Sequence, residues 1–122
     1  MKRVLVCDDQ PALREVLRDA LADLRGDLEV IEAADGQAAL GLLSDSAYDL
    51  VFLDVEMPQL DGFETLKALR AKESGRRTPV VMVTGMNTEA HIVSGWQLDA
   101  DGYISKPFNM DEIAEAVATH LS

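Results

Sequence analysis

Five short apolar runs punctuate the chain: RVLVC (3–7), LEVIEA (28–33), LVFL (50–53), VVMV (80–83) and GYIS (102–105). Each has the length and composition of a β-strand. The segments between and after them carry helical spacing instead. Over 11–24, Leu13, Val16, Leu17, Ala20, Leu21 and Leu24 fall on one stripe. Ala39, Leu40 and Leu43 do the same over 36–44, and Phe63, Leu66 and Leu69 over 62–71. A shorter helix is predicted over 88–98, and a last one over 109–121 with Ile113, Val117 and Leu121 inward. Asn109 stands as its N-cap, with Asp111 and Glu112 suited to the helix dipole. Strand then helix, five times over, implies right-handed parallel crossovers. Strands that are apolar nearly throughout are buried on both faces. The fold class expected is therefore α/β, a doubly wound five-stranded parallel sheet with helices on both faces.

The 122 residues suit one domain, taken as 1–122, and 48% hydrophobic residues suffice for its core. The polar stretch 70–79 reads as a surface loop, and no linker or repeat appears. With 22 acids against 11 bases, the formal charge of −11 repels phosphates, which weighs against nucleic acid and anionic membranes as partners. A single cysteine, Cys7, precludes an internal disulfide and reads as a small buried hydrophobe. No apolar run approaches the roughly 20 residues of a membrane span. Asp8 and Asp9 interrupt the N-terminus too early for a signal-peptide core, so a cytoplasmic location is expected. His91 and His120 have no partner at metal-ligand spacing and read as helix-surface residues.

Ligands of open parallel sheets bind beyond the carboxyl ends of the strands. The first run ends in Asp8-Asp9, the third in Asp54, the fourth in Thr84-Gly85 and the fifth in Ser105-Lys106-Pro107. A strand-end acid alone is most often a helix cap. Together these groups are chemically complementary. Three carboxylates repel one another unless a hard cation intervenes, and Mg²⁺ takes oxygen ligands. Cation, ammonium and hydroxyl are what a transferring phosphoryl group needs around its oxygens, and a central carboxylate can be its nucleophile.

The chain resembles a bacterial response regulator receiver domain of the chemotaxis CheY type, over essentially all its length. The resemblance rests on Asp8-Asp9, on Asp54 followed by Met57-Pro58 and Asp61-Gly62, and on Thr84, Tyr103 and Lys106-Pro107-Phe108. It implies a flavodoxin-like five-stranded fold and a phosphoacceptor role in two-component or phosphorelay signalling. Asp54 would take a phosphoryl group from a phosphohistidine on a sensor histidine kinase or phosphotransfer protein. Asp9, Asp54 and the main-chain carbonyl of Glu56 would bind Mg²⁺ (or Mn²⁺), with Asp8 acting through water. Lys106 would contact the phosphoryl oxygens, while Thr84 and Tyr103 would move as a switch. The protein would not be a turnover enzyme, beyond self-catalysed phosphorylation and slow autodephosphorylation.

The same resemblance puts an output surface on the fourth helix, fifth strand and last helix, with Ile92, Trp96 and Tyr103 facing a downstream protein or a second copy. Glu56 and Met86 would flank the pocket as variable positions. Asp99-Ala100-Asp101 departs from the frequent Gly-Ala-Asp, and Asp99 is expected to cost some stability in a left-handed conformation. The rivals are an aspartyl-phosphate phosphohydrolase, a flavodoxin-like FMN binder and a pseudo-receiver that only binds partners. Glu56 stands where the first usually has a second Asp. CDDQPALRE is too acidic for the FMN phosphate loop. The intact acidic set with Thr84 and Lys106 weighs against the third.

Overall fold

Strands β1 (Lys2–Cys7), β2 (Leu28–Ala33), β3 (Leu50–Asp54), β4 (Val80–Thr84) and β5 (Gly102–Ser105) form one parallel sheet, in the order β2-β1-β3-β4-β5. The structure is a computed structural model, which describes residues 2–73, 77–85 and 100–121. The predicted helix over 88–98, with Ile92, Val93, Trp96 and Leu98, lies outside these residues, as do Met86, His91 and Asp99. The other helices are α1 (Pro11–Leu24), α2 (Gly36–Asp45), α3 (Gly62–Lys72) and a C-terminal helix (Met110–His120).

The sheet divides the core by strand parity. Val4, Val6, Leu50, Phe52, Val81, Val83 and Ile104 pack with Leu17 and Leu21 of α1 and Ile113 and Val117 of the C-terminal helix. Leu5, Cys7, Val51, Leu53, Val80 and Met82 face the other way, against Leu40 of α2 and Leu66 and Leu69 of α3. β3 and β4 are buried along their whole length, as their unbroken apolar sequence requires.

Local chemistry sets the helix starts. Asp35 accepts from Ala38 N at 2.7 Å. Asp61 with Glu64, and Asn109 with Glu112, form capping boxes in which each side chain bonds the other residue's backbone N–H. α1 lacks a side-chain cap but begins at Pro11, whose missing N–H is an orphan there in any case.

Two expectations are corrected, and one core residue is added. Val16 lies on the α1 stripe yet is 50% exposed, because the stripe is wider than the sheet surface it covers. The stretch 70–79 is not simply a surface loop: Arg70–Lys72 complete α3, and Arg70 and Glu73 are largely buried in a polar cluster. There Arg70 pairs with Glu73 and Asp101 and donates to Thr78 O, while Asp101 accepts from Val80 N at 2.7 Å. Tyr48 is a core residue that periodicity does not reveal; it is fully buried, with the Arg3 guanidinium 4.7 Å from its ring centroid.

Candidate functional site

The chain runs from β1 outward to β2, then back across β1 to β3. The carboxyl ends of β1 and β3 therefore flank the point where strand order reverses, the place where open sheets bind ligands. Register then fixes which side chains meet. Cys7 pairs with Leu53, so the next residues, Asp8 and Asp54, emerge side by side. Asp54 continues the parity of Leu50 and Phe52, Asp8 that of Val4 and Val6, and Lys106 that of Ile104. All three converge on the α1 side of the rim. Thr84 has the opposite parity, that of Val80 and Met82.

Lys106 Nζ donates to Asp54 Oδ1 at 3.0 Å and to Asp8 Oδ2 at 3.2 Å. Both carboxylates are 2% exposed. Such burial is tolerated because each has partners. Asp8 Oδ1 also accepts from Gln10 N at 2.9 Å, and Asp54 Oδ1 from Glu56 N at 3.3 Å. Asp9 is exposed, and one carboxylate oxygen from each of Asp8, Asp9 and Asp54 lies within 4.8 Å of the others. Lys106 N donates to Thr84 O at 2.8 Å, which extends the β4–β5 ladder and holds the ammonium's stem in register. The Lys106–Pro107 peptide is cis.

Burial pushes the Asp54 carboxyl up to about 7; the Lys106 hydrogen bond opposes the rise and the charge of Asp8 adds to it. Burial alone would lower Lys106, but its hydrogen bond and charge contacts with Asp54, and the charge of Asp8, leave it raised. Burial also raises Tyr103, which packs partly buried against the α2–α3 side of the core.

Met57-Pro58 and Asp61-Gly62 turn the chain away from Asp54. A Cβ on Gly62 would lie 2.3 Å from Asp54 O and 2.7 Å from Val55 Cα. The glycine is demanded by this close approach of α3 to the strand tip. Gln59 takes the left-handed conformation of the turn at φ 68°.

Of the site residues expected from sequence, Asp8, Asp9, Asp54 and Lys106 are brought together. Thr84 and Glu56 meet each other, with Thr84 Oγ1 donating to Glu56 Oε1 at 2.6 Å. Tyr103 stands three residues before Lys106. Ile92 and Trp96 lie outside the described residues. Sequence reasoning missed Arg14, whose Nη1 donates to Asp8 O at 2.7 Å; its spacing one turn into α1 from the acid pair was the available signal.

Residues 4–118 match the family model of the response regulator receiver domain, and the chain belongs to that family. It is 43% identical over 121 residues to the transcriptional regulatory protein CpxR of Escherichia coli K12, covering 99% of this chain and 50% of CpxR. Against ResD of Bacillus subtilis it is 36% identical over 119 residues, covering 98% and 48%. The chain thus spans about half the length of the curated relatives it matches. Among solved structures it is similar to the chemotaxis protein CheY4 of Vibrio cholerae, with 32% identity, TM-score 0.89 and 99% of each chain covered. It is also similar to the response regulator protein TrrA of Thermotoga maritima in complex with Mg(2+)-BeF, with 36% identity, TM-score 0.85 and coverage of 99% and 100%. The chain is accordingly a receiver domain of the two-component response regulator class, with the CheY-like, flavodoxin-like fold.

Proposed function

We propose that Asp54 is the phosphoacceptor and that a Mg²⁺ ion held by the rim carboxylates is required for its phosphorylation. The observation that carries this reading is one ammonium, Lys106, shared by two buried carboxylates, with a third acid close enough to complete a cation site. Two carboxylates for one ammonium leave uncompensated negative charge, and hard oxygen donors in that number suit Mg²⁺. Asp9, Asp54 and the main-chain carbonyl of Glu56 would hold the ion, with Asp8 acting through water. When bound, Mg²⁺ screens the carboxylates and stabilises charge on phosphoryl oxygens. Mn²⁺ would serve in the same place. The similarity to a protein solved with Mg(2+)-BeF supports this choice.

In the transfer, an Asp54 carboxylate oxygen attacks phosphorus. The P–N bond to the donor imidazole breaks, and the imidazole leaves as the new O–P bond forms. Lys106 exchanges part of its contact with Asp54 for a phosphoryl oxygen, and Thr84 turns its hydroxyl from Glu56 to another. Tyr103 follows Thr84, and the affinity for a partner or a second copy changes, with Ile92 and Trp96 the further output residues that the family resemblance implies. Donor and output partner are a histidine kinase or phosphotransfer protein and a downstream protein. The protein is modified stoichiometrically and does not turn over phosphomonoesters. We place it in the cytoplasm, with kinase and phosphoryl donors; among the described residues no helix is long and apolar enough to cross a membrane.

Incubation with acetyl phosphate, with Mg²⁺ or with excess EDTA, tests this. One acid-labile phosphate per chain with Mg²⁺ and none with EDTA is expected. Metal-independent uptake, or steady release of phosphate from small phosphomonoesters, would contradict it.

A further inference from the structure

The end of β1 presents a problem that the carboxylates do not solve. Asp8 N still pairs with Ala33 O at 3.1 Å, but the chain must then leave the sheet and enter α1 at Pro11, three residues later. The carbonyl of Asp8 is taken by Arg14 Nη1 at 2.7 Å. Arg14 is only 17% exposed, and its Nε donates to Glu32 Oε1 at 3.2 Å. Glu32 belongs to β2, in register with Val6. Its second oxygen accepts from Arg18 Nη1 at 2.8 Å, one turn further along α1. A guanidinium fork thus spans a main-chain carbonyl on one side and a strand-anchored carboxylate on the other, a geometry that a planar multi-donor group satisfies and a point charge does not.

We infer that Arg14, braced by Glu32, is a positioning residue for the cation site: it fixes the β1–α1 turn so that Asp8 and Asp9 stay aimed at Asp54. The inference rests on the Mg²⁺ reading above. Both Asp8 carboxylate oxygens are bonded to Gln10 N and Lys106, so the side chain is held only as well as the backbone beneath it. Asp9 is exposed and is placed by that backbone.

Positioning and plain electrostatics give opposite signs. A cation beside a Mg²⁺ site repels the metal, so its removal should tighten binding if charge alone matters. If Arg14 positions the acids, Arg14→Ala should weaken Mg²⁺ binding about tenfold, the lower end of what outer-shell partners of metal ligands contribute.

The test is calorimetric titration of Mg²⁺ into the intact protein, together with the exchange rate of the Gln10 amide in metal-free protein. Arg14→Ala is expected to weaken binding and to speed Gln10 exchange. Arg14→Lys, which can reach the carbonyl or Glu32 but not both, should fall between it and wild type; it carries the test if the alanine variant does not fold. Arg18→Ala removes a similar charge without touching Asp8 and should leave affinity unchanged or slightly tighter. Unchanged or tighter binding in both Arg14 variants overturns the inference. Absence of Mg²⁺ binding in wild type, with Asp9→Asn no different, would overturn the metal reading itself and the inference with it.

Discussion

Thr84 Oγ1, at the end of β4, donates to Glu56 Oε1 at 2.6 Å, two residues beyond Asp54. The hydroxyl that a phosphoryl oxygen would need is thus engaged by a carboxylate, and that carboxylate adds negative charge where an anionic donor must approach. Glu56→Gln keeps an acceptor for Thr84 and removes the charge. The expected outcome is faster labelling by acetyl phosphate, about tenfold if the repulsion is near 1.4 kcal/mol. Initial labelling rates at fixed Mg²⁺ measure it; an equal or slower rate would show that the carboxylate does not oppose entry. Unaided hydrolysis in the wild type should take minutes or longer, the outcome expected if the Glu56 carboxylate also hinders an attacking water. A half-life of seconds would contradict that hindrance.

The raised pKa of Asp54 links stability to pH. Its folded value of about 7 lies above the ordinary carboxyl value of 3.8, so the folded state binds the proton more tightly. The stabilising effect of the neutral carboxyl is complete below the lower value and is lost as pH rises through the upper one. In metal-free protein at pH 8, Asp54→Asn should therefore melt higher than wild type, by about 3–8 °C, the shift that roughly 1 kcal/mol produces in a domain of this size. The gap should close toward pH 4. Mg²⁺ should raise the wild-type melting temperature and leave the variant nearly unmoved, because only a bound ligand shifts the folded state. Scanning calorimetry with and without Mg²⁺ reads both effects. A wild type that is the more stable protein at pH 8 without metal would oppose them.

Gly62 and Gly41 make a contrasting pair. A Cβ at Gly62 would be 2.3 Å from Asp54 O, whereas one at Gly41 meets nothing within 4 Å. Gly62→Ala must push α3 from the tip of β3, with an expected cost of about 2–3 kcal/mol and weaker Mg²⁺ binding, since the displaced backbone carries Asp54. Gly41→Ala, within α2, should stabilise by up to about 1 kcal/mol. Urea midpoints of the two variants should move in opposite directions.

Lys106→Ala should fold, because Lys106 belongs to neither hydrophobic cluster and its ammonium serves the rim carboxylates, but it should uncouple ligand from conformation. Beryllofluoride with Mg²⁺ is expected to shift the wild-type melting curve and emission spectrum. An undiminished shift in the variant would remove Lys106 from that role.

The fold was legible because parallel strands buried on both faces must be apolar throughout: the predicted spans 28–33 and 102–105 agree with the observed strands, and the other three differ by one residue at one end. The grouping of Asp8, Asp9, Asp54 and Lys106 was legible because residues at strand ends are sorted by topology and parity alone. Contacts that depend on side-chain reach were not. Nothing in the periodicity of α1 tells that Arg14 turns back to the Asp8 carbonyl, or that Val16 lies beyond the sheet. Nor does the polar run 70–79 announce that Arg70, Glu73 and Asp101 close one cluster; a buried ion network and a solvated loop have the same composition. Glu56 read as a flanking position, and its bond to Thr84 follows from the parity of β4, which sets Thr84 apart from the other rim groups.

Every prediction about phosphorylation depends on Asp54 being the residue that receives the phosphoryl group. The most direct test of that role is borohydride reduction of protein labelled by acetyl phosphate and Mg²⁺, followed by peptide mass mapping, since reduction of an aspartyl phosphate leaves homoserine at the modified position. Homoserine is expected at position 54 and nowhere else, with none in Asp54→Asn. Homoserine at position 8 or 9, or undiminished acid-labile phosphate in the Asn variant, would contradict it.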